Sequence, residues 1–248
     1  MSRTLAAAPS EPVVVPERVC LLAGDDDVTP VWRNVLGGLT FRLSAADGAQ
    51  RYVKWVPAGT PELDLDAEAA RLAWAGRYTP VPRVLDRGDD DEGGWLLTAG
   101  LPGRSAVDPH WLARPETAAR AIGAGLRAMH GALPADGCPF SWGVADRVAR
   151  LSPDARARVG DVPAVDRLVV CHGDPCAPNT LLDDDGRWTA HVDLDALGVA
   201  DRWADLAVAS YSLEWNYGDG YEPAFFEGYG IAPDAGRIAF YRRLWDLG

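Results

Sequence analysis

The sequence predicts an α+β fold, with a β-rich N-terminal part and a mainly helical C-terminal part. Three observations predict it. Short apolar runs rich in Val, Leu, Trp and Tyr alternate with Gly and Asp turns through residue 98. After Leu101-Pro102-Gly103 the apolar period changes from about 2 to about 3.6 residues. The chain is 248 residues long and 48% hydrophobic, with ten Trp, enough to bury a sizeable core in one domain or two lobes. The expected division is 1–98, opening with a loose tail over 1–18, then a hinge over 99–104 and a second part over 105–248.

In order along the chain, VWRNVL, LTFRL and RYVKWV read as strands separated by Gly37-Gly38 and by Ala46-Asp47-Gly48, an antiparallel meander. PELDLDAEAARLAWAGRY then changes period. Leu65, Ala69, Leu72 and Ala73 recur at helical spacing behind Pro61, and Gly76 marks the end. PRVLDRG and GWLLTAG flank the acidic turn Asp89 to Gly94 as a second hairpin. Beyond the hinge, TAARAIGAGLRAMHGAL sets Ala118, Ile122, Leu126 and Met129 on one helical face. DRLVVCHGD ends a strand, NTLLDDDGRWTAHVDLD is a hairpin turning at Asp184-Asp185-Gly186, and DRWADLAVASYSLEW, EPAFFEGYG and DAGRIAFYRRLWDL are helical.

The formal charge is −12, from 24 basic and 36 acidic residues, which argues against nucleic acid as the partner because phosphate neutralisation needs a basic face. An acidic protein suits a cationic small molecule. Cys20, Cys138, Cys171 and Cys176 show no paired two-residue spacing, so neither a zinc site nor a disulfide framework is expected, and reduced thiols fit a cytoplasmic protein. No apolar run approaches the length of a membrane span, and the N-terminus does not read as a secretory leader. Oligomeric state has no signature in the sequence.

The chemistry concentrates in VVCHGDPCAPNTLL, residues 169–182, and in VDLD just beyond it. Phosphoryl transfer needs a carboxylate to orient an acceptor hydroxyl, and oxygen ligands for a cation that offsets triphosphate charge. Mg²⁺ takes carboxylate and amide oxygens. Asp174 and Asn179 share one loop, and Asp193 ends a hairpin that folds back on it. His172 is expected to brace the loop, and Cys171 and Cys176 to be small packing residues.

HGDPCAPN followed by HVDLDALGVADRWADLA resembles the catalytic and metal-binding region of the aminoglycoside phosphotransferases, a branch of the bilobal protein-kinase-like fold. The resemblance extends from about Val31 to the C-terminus through VWRNVLGGLTFRL, YVKW, AEAARLAWA, PVPRVLDRG, WLLTAGLPG and IAFYRRLWDLG. It implies a nucleotide-binding N-terminal lobe and a catalytic, substrate-binding C-terminal lobe. It implies Asp174 as the catalytic carboxylate, Asn179 and Asp193 as Mg²⁺ ligands, and ATP or GTP as phosphoryl donor. Lys54 matches the lysine that pairs with the nucleotide phosphates, and Glu68 the helix glutamate that holds it. Asp201 matches the aspartate that braces the catalytic loop, and both Asp201 and Asp205 read as structural.

From the residues alone, Lys54 equally suits snorkelling from an edge strand, and Glu62, Asp64 and Asp66 compete with Glu68 as its partner. The first hairpin, Gly37-Gly38-Leu39-Thr40, lacks a G-x-G-x-x-G pattern, leaving backbone amides and Thr40 for phosphate contact. Adenine would be read by main-chain groups of Ala99 to Leu101. The segment 211–222 mixes aromatic rings with Glu214, Asp219 and Glu222, which suit the ammonium groups of an amino sugar, and equally a solvated helix end; Asp234 and Asp246 are further carboxylates. Asp195 stands where the resembled family has Gly. The expected function is ATP-dependent O-phosphorylation of an aminoglycoside, conferring antibiotic resistance, with the 3′ hydroxyl favoured over 3″. The alternatives are a kinase of another small hydroxylated metabolite and a catalytically weak nucleotide-binding homologue.

Overall fold

The computed structural model describes residues 9, 11–34, 36–60 and 64–248. Half of the expected tail, together with Pro61 and Glu62, therefore lies outside the described residues. The chain separates into two compact units, Met1–Trp74 with Pro82–Leu101, and Ala75–Val81 with Pro102–Gly248.

The first unit opens with helix α1 (Glu17–Ala23), followed by strands β1 (Asp27–Arg33), β2 (Leu39–Ser44) and β3 (Gln50–Pro57). Helix α2 (Leu65–Ala75) comes next, then the hairpin β4 (Val84–Asp89) and β5 (Gly93–Ala99). The sheet order is β1-β2-β3-β5-β4, with every neighbour antiparallel. Helix α1 corrects the expectation of a loose tail through residue 18. It is only seven residues long and shows little more than one period, yet Val19 and Ala23 bury against Phe41, Leu43 and Val53 of the sheet. Strand β1 begins four residues earlier than VWRNVL, because Pro30 is tolerated on an edge strand, beside a register shift. In α2 the buried positions are Glu68, Ala69, Leu72, Trp74 and Ala75, while Ala73, expected on the inward face, is exposed.

The second unit runs β6 (Arg104–Ser105), α3 (Pro109–Leu112), α4 (Pro115–Ala132), α5 (Val144–Arg150), α6 (Pro153–Arg156) and β7 (Leu168–Cys171). It continues through a 3-10 turn over Ala177–Asn179, β8 (Thr180–Leu182), β9 (Trp188–His191) and β10 (Gly198–Asp201), and closes with α7 (Trp203–Tyr217), α8 (Glu222–Tyr229) and α9 (Ala235–Leu247). The core joins Ile122 and Leu126 of α4, Leu206 and Leu213 of α7, Phe225 and Phe226 of α8, and Phe240 and Leu244 of α9. Ala118, Ile122, Leu126 and Met129 are all fully buried, as their spacing predicts. Helices α4 and α8 approach closely through reciprocal glycines. A Cβ at Gly123 would lie 2.1 Å from the Phe225 carbonyl oxygen, and one at Gly228 2.1 Å from that of Arg120. Strand β7 pairs antiparallel with β10, and β8 pairs with β6 and β9. Among the described residues no helix is long and apolar enough to cross a membrane.

Candidate active site

In the first unit, Lys54 lies on β3 and Glu68 in the first turn of α2. The Lys54 Nζ is 2.7 and 2.8 Å from the two carboxylate oxygens of Glu68, a forked ion pair. The Glu68 side chain is 4% exposed and that of Lys54 27%. Because β3 is an interior strand, the edge-strand reading of Lys54 does not apply. The competing carboxylates are otherwise engaged: Asp64 accepts from the Ala67 N–H at the start of α2, and Asp66 pairs with Arg87. A carboxylate this deeply buried needs a cation beside it, and Lys54, with a side chain that is partly exposed, supplies one.

Thr40 stands opposite Lys54 in the β2–β3 register. The turn before it is organised by Asn34, whose Oδ1 accepts from the N–H of Leu36 and of Gly38 at 3.0 and 2.7 Å. At the end of β5 the Ala99 N–H donates to the Arg83 carbonyl and the Gly100 N–H to that of Gln50. Main-chain recognition at Ala99 to Leu101 therefore has fewer free amides than the sequence suggests.

In the second unit, the loop from His172 to Asn179 connects β7 to β8. Its start is fixed by Asp205 on α7. One carboxylate oxygen of Asp205 accepts from the His172 N–H at 2.6 Å and from His130 Nε2 at 2.9 Å, and the other from the Gly173 N–H at 3.0 Å. His130, near the end of α4, meets the Tyr229 hydroxyl through Nδ1 at 2.9 Å. Burial alone would raise the Asp205 pKa, but the hydrogen bond and charge of His130, the charge of His172 and the Gly173 N–H outweigh it and hold the carboxyl below the usual range. The brace is therefore Asp205, not Asp201. Asp201 accepts from the N–H groups of Asp166 and Trp203 and from Arg237, tying together α7, α9 and the approach to β7. Motif position alone could not separate two aspartates four residues apart.

Gly173 follows at φ +90°, and a Cβ there would lie 2.3 Å from the Ala196 carbonyl oxygen, so only glycine lets the two loops pass this closely. His172 is structural, as expected. Its Nδ1 accepts from the Asp174 N–H at 3.3 Å, which leaves Nε2 as the donor to the Val192 carbonyl at 3.0 Å.

Asp174 and Asn179 are brought together. The Asn179 Nδ2 donates to the Asp174 main-chain carbonyl at 2.9 Å and to its Oδ2 at 3.3 Å, which turns the amide oxygen of Asn179 away from Asp174. The Asp174 Oδ1 is buried and has no hydrogen-bond partner. Burial raises the Asp174 pKa first, and the nearby Asp193 carboxylate raises it further, against the pull of Cys176, His172 and Asn179. A buried, unpartnered carboxylate oxygen with raised proton affinity is suited to receive a hydroxyl proton.

Asp193 adopts φ +65° and is the one non-glycine residue with positive φ among the described residues. That conformation is uncommon for a side-chain-bearing residue, and Asp is among those that tolerate it best. Asp195, where glycine was expected, is exposed and does not adopt a positive φ. The left-handed turn falls on Asp193 itself, so glycine's conformational freedom is not required two residues later.

The carboxylates expected near an acceptor have defined surroundings. Arg242 of α9 bonds Glu214 at 2.8 Å and Glu222 at 2.5 Å, donates to Ser210 Oγ at 3.0 Å, and lies 4.8 Å from the centroid of the Tyr211 ring. Glu214 and Glu222 thus share one guanidinium, leaving one net negative charge. Asp219 is exposed in the turn between α7 and α8. Asp234 caps α9 through the Arg237 N–H rather than joining this group. None of the four cysteines is in a disulfide. Sequence reasoning missed His130, Ser212, Asn216 and Arg242, which bear on the loop or its carboxylates only through tertiary contacts.

Comparison with known proteins matches residues 32–241 to the phosphotransferase enzyme family APH. The aminoglycoside 3′-phosphotransferase of Streptomyces fradiae is 35% identical, over 84% of this chain and 90% of that protein. The streptomycin 3″-kinase of Streptomyces griseus is 36% identical, over 84% and 87%. Among solved structures, aminoglycoside phosphotransferase APH(3″)-Id from Streptomyces rimosus superposes with a TM-score of 0.71 at 33% identity, covering 92% of this chain and 95% of that one. That enzyme has also been solved in complex with ADP and streptomycin, at a TM-score of 0.68. With the match spanning most of its length, this chain belongs to the APH phosphotransferase family.

Proposed function

We propose that this protein transfers the γ-phosphoryl group of ATP to a hydroxyl of an aminoglycoside, which inactivates the antibiotic and confers resistance. The observation that carries the chemistry is the buried, unpartnered Oδ1 of Asp174, on a loop fixed by Asp205 at one end and by Asn179 at the other. The acceptor class rests on the relatives, named for phosphorylation of aminoglycosides at the 3′ or 3″ position.

In this reading Asp174 orients the acceptor hydroxyl and takes its proton as that oxygen bonds to phosphorus and ADP departs. The amide oxygen of Asn179 and the Asp193 carboxylate are the donors that would hold Mg²⁺, a hard-oxygen set that suits the ion. Bound there, the ion offsets charge on the phosphates. The first unit is the nucleotide-binding lobe, where Lys54, held by Glu68, pairs with phosphate oxygens. Thr40 and the end of β5 at Ala99 to Leu101 contact the nucleotide. The second unit is the catalytic and acceptor-binding lobe. Glu214, Asp219 and Glu222 receive ammonium groups of the acceptor, with Glu214 and Glu222 aimed by Arg242.

Incubation with Mg·ATP and a panel of kanamycin, neomycin and streptomycin, followed by phosphorus NMR of any product, tests both the substrate class and the hydroxyl. A phosphate ester on the 3′ or 3″ hydroxyl of at least one member is expected. ATP consumption with only non-aminoglycoside alcohols would overturn the substrate assignment.

A further inference from the structure

We infer that Ser212, locked by Asn216, is a positioning residue for the catalytic loop, fixing through its hydroxyl the turn that carries Asn179 and holds it against Asp174. The inference rests on the phosphotransfer role of Asp174 proposed above. Asp205 secures only the first two amides of the loop. Further along, Pro175 and Pro178 have no N–H to donate. The Ala177 N–H, on a residue 1% exposed, donates to Ser212 Oγ at 2.9 Å. This bond crosses from α7 to the first residue of the 3-10 turn Ala177–Asn179. Asn179, two residues on, uses its Nδ2 to hold the Asp174 carboxylate and main-chain carbonyl.

Ser212 is itself fully buried. Asn216, one turn later on the same helix, donates its Nδ2 to the Ser212 carbonyl at 2.7 Å and to its Oγ at 3.1 Å. Two donors thus converge on the Ser212 hydroxyl oxygen, one from the loop and one from its own helix. The path runs from Asn216 through Ser212 to Ala177 and, along the 3-10 turn, to Asn179, whose amide holds Asp174. Ser210, equally buried on the same helix, provides the contrast: its hydroxyl donates back to the Ala207 carbonyl within α7. A buried serine in a helix interior has no advantage over alanine unless its hydroxyl is satisfied. Ser212 gains its partner from the loop.

Two measurements on the wild type, Ser212→Ala and Asn216→Ala test the inference. The first is amide hydrogen exchange of the free protein across residues 172–179. The second is steady-state kinetics with Mg·ATP and an accepted aminoglycoside. Ser212→Ala is expected to speed exchange at the Ala177 amide about tenfold or more while peptides of α4 and α8 exchange as in the wild type. Its kcat is expected to fall on the order of 10–100-fold with KM for ATP unchanged, because a small misplacement of Asp174 slows chemistry rather than nucleotide binding. Asn216→Ala is expected to shift both readouts the same way by less, and decides the matter if Ser212→Ala does not fold. Unchanged exchange at the loop, or faster exchange with unchanged kcat, would overturn the inference. If the wild type phosphorylates no acceptor, the proposed function fails, and the exchange arm still decides whether Ser212 holds the loop.

Discussion

The Asp205 carboxylate and the His172 main-chain N–H, 33 residues apart in sequence, lie 2.6 Å from each other. The same carboxylate holds Gly173 and is held in turn by His130. Helix α7 thereby sets where the loop carrying Asp174 begins.

Asp205→Asn would turn an amide NH₂ toward at least one of the N–H groups that the carboxylate now accepts, and leave it unsatisfied. A loss of about 1–3 kcal/mol of stability is expected, together with a large loss of kcat. Urea unfolding and steady-state kinetics on the same preparation measure the two effects.

The depressed Asp205 pKa also makes a pH prediction. In the unfolded chain the group takes up its proton near the usual value of about 4, whereas in the fold it resists doing so. Its contribution to stability is therefore complete above about pH 4 and is lost as the pH falls through the lower folded value. Melting temperatures measured from pH 7 downward should fall more steeply for the wild type than for Asp205→Asn. Parallel curves would remove Asp205 from the account of acid stability.

Lys54→Met removes the cation from a buried Glu68 carboxylate. The Lys54 side chain is partly exposed, so the stability loss should be about 1–3 kcal/mol rather than the larger cost of opening a fully enclosed pair. Glu68→Gln, which keeps the shape and one acceptor oxygen, should unfold closer to the wild type. Both should raise KM for ATP more than KM for the acceptor, as read by varying each substrate in turn.

Asp195→Gly should restore nothing, because Asp195 already adopts an ordinary backbone conformation. The expected result is activity within about threefold of the wild type and a stability loss of about 0.5–1 kcal/mol from the added chain entropy. A large rise in kcat would mean that glycine is needed there after all.

Arg242→Met leaves Glu214 and Glu222 without their common cation. The side chains should separate, and KM for a cationic acceptor should change about tenfold while KM for ATP stays constant. Equal effects on both constants would point to general loosening of α7, α8 and α9.

Much of the framework was legible from local pattern. The strand–turn–strand runs up to Ala99 and the apolar face Ala118, Ile122, Leu126, Met129 are periodic over enough residues to identify themselves. Helix α1 and strand β10 were not, since segments of seven and four residues carry too little period and take their structure from what they pack against. The same division runs through the site. Asp174, Asn179 and Lys54 stand out because polar groups between apolar runs are conspicuous in sequence. The groups that orient them do not. His130 follows Met129 on a helix that reads as core, Ser212 and Asn216 look like polar positions on an exposed helix face, and Arg242 looks like solvated charge. His130 meets Asp205 75 positions away, Ser212 meets Ala177 35 positions away and Arg242 meets Glu214 28 positions away, while Asn216 acts through Ser212, one turn before it.

The central claim is that Asp174 serves phosphoryl transfer to an aminoglycoside hydroxyl, and mass spectrometry of the acceptor tests it most directly. Wild-type protein with Mg·ATP should add about 80 Da, one phosphoryl group, to at least one aminoglycoside, and Asp174→Ala, folded to the same melting temperature, should add none over the same period. Undiminished product from Asp174→Ala, or no mass gain from the wild type on any aminoglycoside, would contradict the account.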